Sequence, residues 1–357
     1  MVKNNNSMLY QKYRPDTWDK VVGQEFPVKA FRKASIERTI PQSIILHGDT
    51  GTGKTTLSRL IAKSITCKNI DQDGNPCNKC DFCDDINTET FHLACKEYHA
   101  SKMNTDSIKE MLDDISKGVT MFAPYKIFFI DEFQELVHKN PTASKLILKS
   151  IESPNPNVFF IIGAMDMINF HKSIPSRTLV YNLKPITRGD IYKELVKIVK
   201  AEKIKSSKEV AEALLIISDN VSGSLRDAIT KLETCIRGDF WDEKTIYEQL
   251  GIISQDTALE FIKRVFEGDK TTLSYQRYYS REYLESIRNN LMDLLKIQNE
   301  IEIKVPAKLE KLVRSKPNSK IVEYIELIND LLNGYTIDQI KVELAIFKML
   351  ELKPKRS

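Results

Sequence analysis

The run Gly48-Asp49-Thr50-Gly51-Thr52-Gly53-Lys54-Thr55 is suited to holding phosphate. Its glycines let the backbone curl until successive N–H groups converge on anionic oxygens, and a helix opening at Lys54 adds the positive end of its dipole. Lys54 can then reach the β and γ phosphates of a triphosphate, and the hydroxyl of Thr55 can ligate Mg²⁺. With Thr56, this stretch is the candidate ATP-binding loop. A second candidate lies at Asp131-Glu132, directly after the apolar run Ile127-Phe128-Phe129-Ile130. Asp131 can share the Mg²⁺ with Thr55, and Glu132 can polarise a water for attack on the γ phosphate. Taken alone, such an acidic pair could merely cap the next helix. Downstream of a phosphate loop, it reads as the other half of a hydrolytic site.

Four of the six cysteines cluster at Cys67, Cys77, Cys80 and Cys83, with a Gly-Asn-Pro turn between the first two. Overlapping C-x-x-C units aim thiolates at a common centre, and Cys67 adds a fourth from the end of the loop helix. A closed four-sulfur shell has no open coordination position, so a Zn²⁺ held there is structural. An iron–sulfur cluster and unligated thiols are the alternatives. Cys95 and Cys235 are isolated and read as core residues. Two arginines, Arg177 in Ser176-Arg177-Thr178 and Arg226 in Gly223-Ser224-Leu225-Arg226-Asp227-Ala228, would each pass for an ordinary surface arginine on residue type alone.

The elements that must position these groups alternate. Apolar runs at Ser43-Ile44-Ile45-Leu46, Phe91-His92-Leu93-Ala94, Ile127–Ile130, Val158–Ile162 and Leu179-Val180-Tyr181 read as five strands, with helical spacing between them, as in Leu57, Leu60, Ile61 and Ile65. The fold class is α/β, a parallel five-stranded sheet covered by helices. After Pro185 the pattern turns helical. The expected boundaries are 1–183 for an ATPase domain with an insertion at about 67–83, 184–252 for a small helical lid, and 253–357 for an all-α domain. That last part carries the stripes Leu284, Ile287, Leu291, Leu294 and Ile321, Ile325, Ile328, Leu332, which must bury against one another or against identical neighbours.

Taken together, the motifs resemble the γ/τ-type ATPase subunit of bacterial clamp loaders, a member of the AAA+ class. The resemblance runs through Lys12-Tyr13-Arg14-Pro15, Val21-Val22-Gly23-Gln24-Glu25, the phosphate loop, the four-cysteine insertion, Asp131-Glu132, Ser176-Arg177, Gly223–Ala228 and the final helix Glu343–Lys348. It is clear from residue 9 to about 250 and faint beyond. It implies that Tyr13, Arg14 and Val22 line the nucleotide pocket. It also implies that Arg177 acts in trans on a neighbour's ATP, that Arg226 senses the γ phosphate of its own subunit, and that the carboxy-terminal domain is an oligomerisation collar. Two positions depart from the pattern. Ala164-Met165 stands where the family usually has a polar sensor threonine, and Thr178 stands where it has cysteine.

The expected function is the ATPase motor of a sliding-clamp loader in DNA replication, with ATP, Mg²⁺ and structural Zn²⁺. The expected partners are other loader subunits in a homo- or hetero-oligomer, pentameric in the family, together with the clamp and primer–template DNA. Other readings are a different AAA+ machine, such as a helicase loader or branch-migration motor, and a non-hydrolysing loader subunit that donates Arg177. Formal charge is only +4, from 53 basic and 49 acidic residues, so DNA contact must come from local placement of lysines. Ser101-Lys102, before the helix of Ile108, Met111 and Leu112, is the candidate contact. No run of eighteen apolar residues occurs and the start is polar, which points to no membrane partner and to the cytoplasm, in a nucleoid or a viral replication complex. The sequence ends without the long tail of τ-type proteins.

Overall fold

Alternation along each strand decides which helices cover it. In the computed structural model, which describes residues 7–87, 94–119, 124–167, 170, 178–250, 255–269, 281–301, 317–333 and 339–350, the strands are β1 (Ser43–His47), β2 (Cys95–His99), β3 (Lys126–Asp131), β4 (Val158–Ala164) and β5 (Leu179–Asn182). They form one parallel sheet in the order β2-β3-β4-β1-β5. Ile44 and Leu46 of β1, with Ile127 and Phe129 of β3, join a core that includes Phe31, Leu57, Leu60 and Ile61. Ile45, Phe128 and Ile130 point the other way, into a core with Met111, Ile115, Leu136, Ile147 and Ile151. Both faces are buried, which is why these strands read as continuous apolar runs. Each such side chain contributes about 1.5–3 kcal/mol relative to exposure.

The covering helices are α1 (Leu9–Lys12), α2 (Glu25–Glu37), α3 (Lys54–Thr66), α4 (Asp81–Asn87), α5 (Thr105–Lys117), α6 (Phe133–Lys139) and α7 (Pro141–Glu152), followed by α8 (Arg188–Ala201), α9 (Lys208–Asp219) and α10 (Leu225–Gly238). Serine or threonine at Thr187, Ser207 and Ser224 caps α8, α9 and α10 through the backbone N–H three residues on. β1, β4 and β5 begin where the apolar runs place them, and β3 begins one residue earlier, at Lys126. The expected strand at Phe91–Ala94 is corrected. Its first three residues lie outside the described residues, and the strand that pairs with β3 starts after Ala94, at Cys95. Among the described residues Cys95-Lys96-Glu97-Tyr98-His99 lies at the sheet edge with only β3 beside it, so it tolerates charges that an apolar-run criterion rejects.

The chain divides into two compact units, Met1–Asp239 and Phe240–Ser357. The second contains α11 (Glu243–Gln249), α12 (Gln255–Glu267), α13 (Arg281–Gln298), α14 (Asn318–Leu332) and α15 (Gln339–Met349). Both stripes read from the sequence are buried in one cluster, with Phe261, Tyr324, Val342 and Ile346. The hydroxyl of Tyr324 donates to the main-chain oxygen of Met349 at 2.7 Å, tying α14 to the end of α15. Among the described residues no helix is long and apolar enough to cross a membrane.

Candidate nucleotide and metal sites

Because all five strands are parallel, their carboxyl ends share one edge of the sheet, the place where open α/β sheets hold ligands. The glycine loop leaves β1 there and Asp131 closes β3 there. Gly51 and Gly53 have φ of +81° and +107°, and a Cβ on Gly51 would also collide with Ser224 Oγ. The loop is thereby packed against the Gly-Ser-Leu-Arg turn ahead of α10. Gly163 of β4 leaves room for Asp131, whose Oδ1 a side chain at 163 would strike.

Lys54 is buried, and its Nζ donates to the main-chain oxygens of Gly48 at 2.7 Å and Asp49 at 2.9 Å. Burial pushes its pKa down, while Asp131, Asp49 and Glu132 push it up. Thr55 Oγ1 donates to Asp131 Oδ2 at 3.3 Å, so the two oxygens expected to share Mg²⁺ already face each other. Asp131 Oδ1 accepts from the N–H of Glu132 at 2.9 Å. Glu132 holds φ of +54°, a left-handed conformation that costs a non-glycine residue about 1 kcal/mol or more.

These groups line a cavity of 340 Å³ with Tyr13, Arg14, Val22, the loop residues Thr50 to Thr56, Ile186 and Arg226. Its size and mixed lining suit a nucleotide. Every expected cofactor residue from Thr50 to Thr56, with Tyr13, Arg14 and Val22, borders this space, while Gly48 and Asp49 enter through the bonds to Lys54. Met165 borders it too: Thr50 Oγ1 meets its sulfur at 3.3 Å, and its N–H donates to Gln134 Oε1 at 3.3 Å. A thioether therefore borders the cavity at the position where a polar sensor is expected. Arg226 stacks over the ring of Tyr10, 4.8 Å from its centroid. Arg177 lies outside the described residues.

The thiols of Cys67, Cys77, Cys80 and Cys83 lie within 4.8 Å of one another. Tetrahedral zinc–sulfur bonds of about 2.3 Å place sulfurs roughly 3.8 Å apart, so small inward shifts close the shell. The donor set fits a structural dication. Burial pushes the Cys67 and Cys83 thiols up. Cys80 is pushed the same way by burial, but hydrogen bonds from the Lys68 and Cys83 backbone outweigh it and bring it down to about 6. Cys95 and Cys235 are buried in the core as expected, each pushed up to about 12 by desolvation.

The family model described as DNA polymerase III, delta subunit, matches residues 23–187. A DNA polymerase III subunit gamma from Buchnera aphidicola subsp. Baizongia pistaciae is 31% identical over 377 residues, covering 98% of both chains. The chain belongs to the DNA polymerase III gamma/tau family. A gamma subunit from Buchnera aphidicola subsp. Schizaphis graminum is 33% identical, covering 74% of this chain and 71% of that one. A tau subunit from Bacillus subtilis is 29% identical, and the match spans 69% of this chain and 43% of the longer relative. Among solved structures, a RuvB mutant from Thermotoga maritima superposes with a TM-score of 0.50 at 15% identity, over 96% of this chain and 99% of that one. That likeness is one of fold alone.

Within this family frame, several contributors escaped sequence reasoning. Gln24, itself at φ +56°, donates from Nε2 to Thr52 O at 3.2 Å and Lys184 O at 2.6 Å, and accepts from the Lys184 N–H at 3.1 Å, so one side chain ties the loop to the segment after β5. Tyr13 and Lys12 both donate to Glu202, at 2.5 and 2.6 Å, and the N–H of Leu9 donates to Glu233 at 2.8 Å. Burial and Glu202 together push the Tyr13 hydroxyl up to about 12. Arg59 donates to Glu97 at 3.0 Å beside the cavity. The bonds of Gln24 to Lys184, of Lys12 and Tyr13 to Glu202 and of Leu9 to Glu233 join residues more than 100 positions apart, and no local signal announces them.

Proposed function

We propose that this chain is the ATP-hydrolysing motor subunit of a sliding-clamp loader acting on primer–template DNA. The observation that carries the reading is the convergence of Lys54, Thr55 and Asp131 beneath the glycine loop, in a chain that matches a gamma subunit along nearly its whole length. Lys54 exchanges its loop carbonyls for phosphate oxygens. Glu132 accepts a proton from the attacking water as the bond to the leaving ADP breaks and inorganic phosphate forms. Thr55 and Asp131 would hold a Mg²⁺ ion, which would supply charge neutralisation to the phosphates when bound. Tyr13, Arg14 and Val22 frame the nucleoside, and Arg226 leaves Tyr10 for the γ phosphate. Arg177 of a neighbouring copy or sister subunit completes the neutralisation, so hydrolysis depends on assembly.

The reading keeps three parts, an ATPase domain through 183, a lid at 184–252 and a collar at 253–357, in a ring-like, pentameric loader. Cys67, Cys77, Cys80 and Cys83 hold zinc. DNA is gripped through phosphate contacts, with exposed Lys102 a candidate, so binding is independent of sequence and falls with salt. The protein then works at the replicating DNA, in the cytoplasm or nucleoid. The test is ATP turnover by the assembled loader, with and without clamp and primed DNA. Stimulation by both supports the motor. Turnover indifferent to the clamp points to another AAA+ machine. A second reading, a non-hydrolysing subunit that only donates Arg177, is favoured by Met165 at the sensor place, and its signature is ATP binding without turnover at this subunit's own site.

A further inference from the structure

Two asparagines of the cysteine insertion are committed to the segment that frames the nucleotide cavity. Tyr13, Arg14, Pro15, Val21 and Val22 line that cavity, and the residues between them run onto the insertion. Asn78, inside the turn between Cys77 and Cys80, donates from Nδ2 to the main-chain oxygen of Asp16 at 2.8 Å and accepts from Lys63 Nζ at 2.7 Å. Asn75 accepts from the buried N–H of Trp18 at 2.9 Å and donates to Asp19 Oδ2 at 2.8 Å. Asn75 is in turn fixed by Asp71, which accepts from its backbone at 2.8 Å and its side chain at 3.2 Å. Trp18 is 1% exposed, stacks on Phe31 and donates from Nε1 to Ser64 of α3 at 3.2 Å.

None of these bonds ligates a metal. A knob built only to meet another protein would have no reason to bury Asn75 and half-bury Asn78 against its own chain, where an unmatched amide costs more than it would in water. Asn78 also sits at φ +52°, so the turn that aims the thiols is the same turn that aims its amide at Asp16.

We propose that the cysteine insertion is a positioning device for the nucleotide pocket: Asn75 and Asn78 hold residues 16–19 so that the flanking Tyr13–Pro15 and Val21–Val22 stay against the nucleotide. The metal then acts on nucleotide affinity through two asparagines that never touch the nucleotide. This rests on the ATP reading above and deepens it. One buried hydrogen bond lost from the segment corresponds to about a fivefold change in an equilibrium it controls, and two to about tenfold or more.

The test uses the full-length chain as wild type, as Asn78→Gly, which keeps the left-handed backbone and removes the amide, as Asn75→Ala, and as wild type stripped of metal by a chelator under reducing conditions. ADP is the probe, and amide exchange over residues 14–22 is read alongside it. The expected result is about fivefold weaker ADP binding and faster exchange in each variant with its metal retained. The double variant and the stripped protein should lose about tenfold or more. Turnover at saturating ATP, measured in the assembled loader, should stay within about twofold of wild type, separating a positioning effect from damage to the chemistry. Wild-type affinity and unchanged exchange in the stripped protein and in the variants would overturn the proposal. A wild type that takes up no ADP would instead sink the nucleotide reading, and the exchange data would still decide whether the insertion holds the segment.

Discussion

At the amino end of α3, Lys54 and Thr55 are held by partners they can give up, the carbonyls of Gly48 and Asp49 and the carboxylate of Asp131. At its carboxyl end, Cys67 belongs to a set of thiols that face one another and are sealed by backbone donors. The same helix thus carries an exchangeable polar cluster and a closed one. An exchangeable cluster suits a ligand that must come and go, because each protein–protein bond lost on binding is replaced by one to phosphate. A closed shell suits an ion that stays. Between the two ends, Ser64 accepts from Trp18 and Lys63 donates to Asn78, so α3 is bonded both to the cysteine insertion and to the segment beside the cavity.

Lys54→Ala should separate the two ends most sharply. It removes the charge from the amino end, and turnover of the assembled loader should fall by about a hundredfold or more while metal content is untouched. Cys80→Ser attacks the other end. Elemental analysis should show metal loss and calorimetry a melting temperature lower by several degrees, with residual turnover at saturating ATP. Retained zinc in that variant, or none in the wild type, would break the comparison. Gly51→Ala tests the packing of the loop against Ser224. Positive φ and the collision together should cost about 1–3 kcal/mol in nucleotide affinity, measured by titration calorimetry.

Gln24→Ala removes the tie between Thr52 and Lys184 and should weaken nucleotide binding about fivefold without altering zinc. The smallest effect is expected at Glu202. Hydrogen bonds from Lys12 and Tyr13 hold its carboxyl below the usual glutamate range. A carboxyl depressed in the folded state stabilises it above the ordinary glutamate pKa and loses that contribution as pH falls through the lowered value. Protection factors of the amides of residues 9–13, corrected for the intrinsic pH dependence of exchange, should therefore fall on acidification in the wild type and be less pH-sensitive in Glu202→Gln.

The phosphate loop, the acidic pair and the cysteine cluster were legible because each is a local pattern whose geometry follows from neighbours a few residues away. The buried strands were legible for a related reason: β1, β3 and β4 are covered on both faces, so their runs are apolar throughout. β2 was misplaced because an edge strand with Lys96, Glu97 and His99 does not need that signature. Gln24, Glu202 and Tyr10 were illegible as site residues because their roles exist only once the chain brings distant segments together. Arg226 sits between these cases. Its residue type carries no information, yet the structure places it on the cavity through a cap at Ser224 that the sequence does display.

A nucleoside triphosphate gripped where Lys54, Thr55 and Asp131 meet should be detectable by equilibrium titration of the full-length chain with ATP, with and without Mg²⁺. Binding should be saturable and strengthened by Mg²⁺, with the Mg²⁺ dependence lost in Asp131→Asn. Absence of binding at saturating ATP, or a Mg²⁺ response unchanged in Asp131→Asn, would contradict that grip.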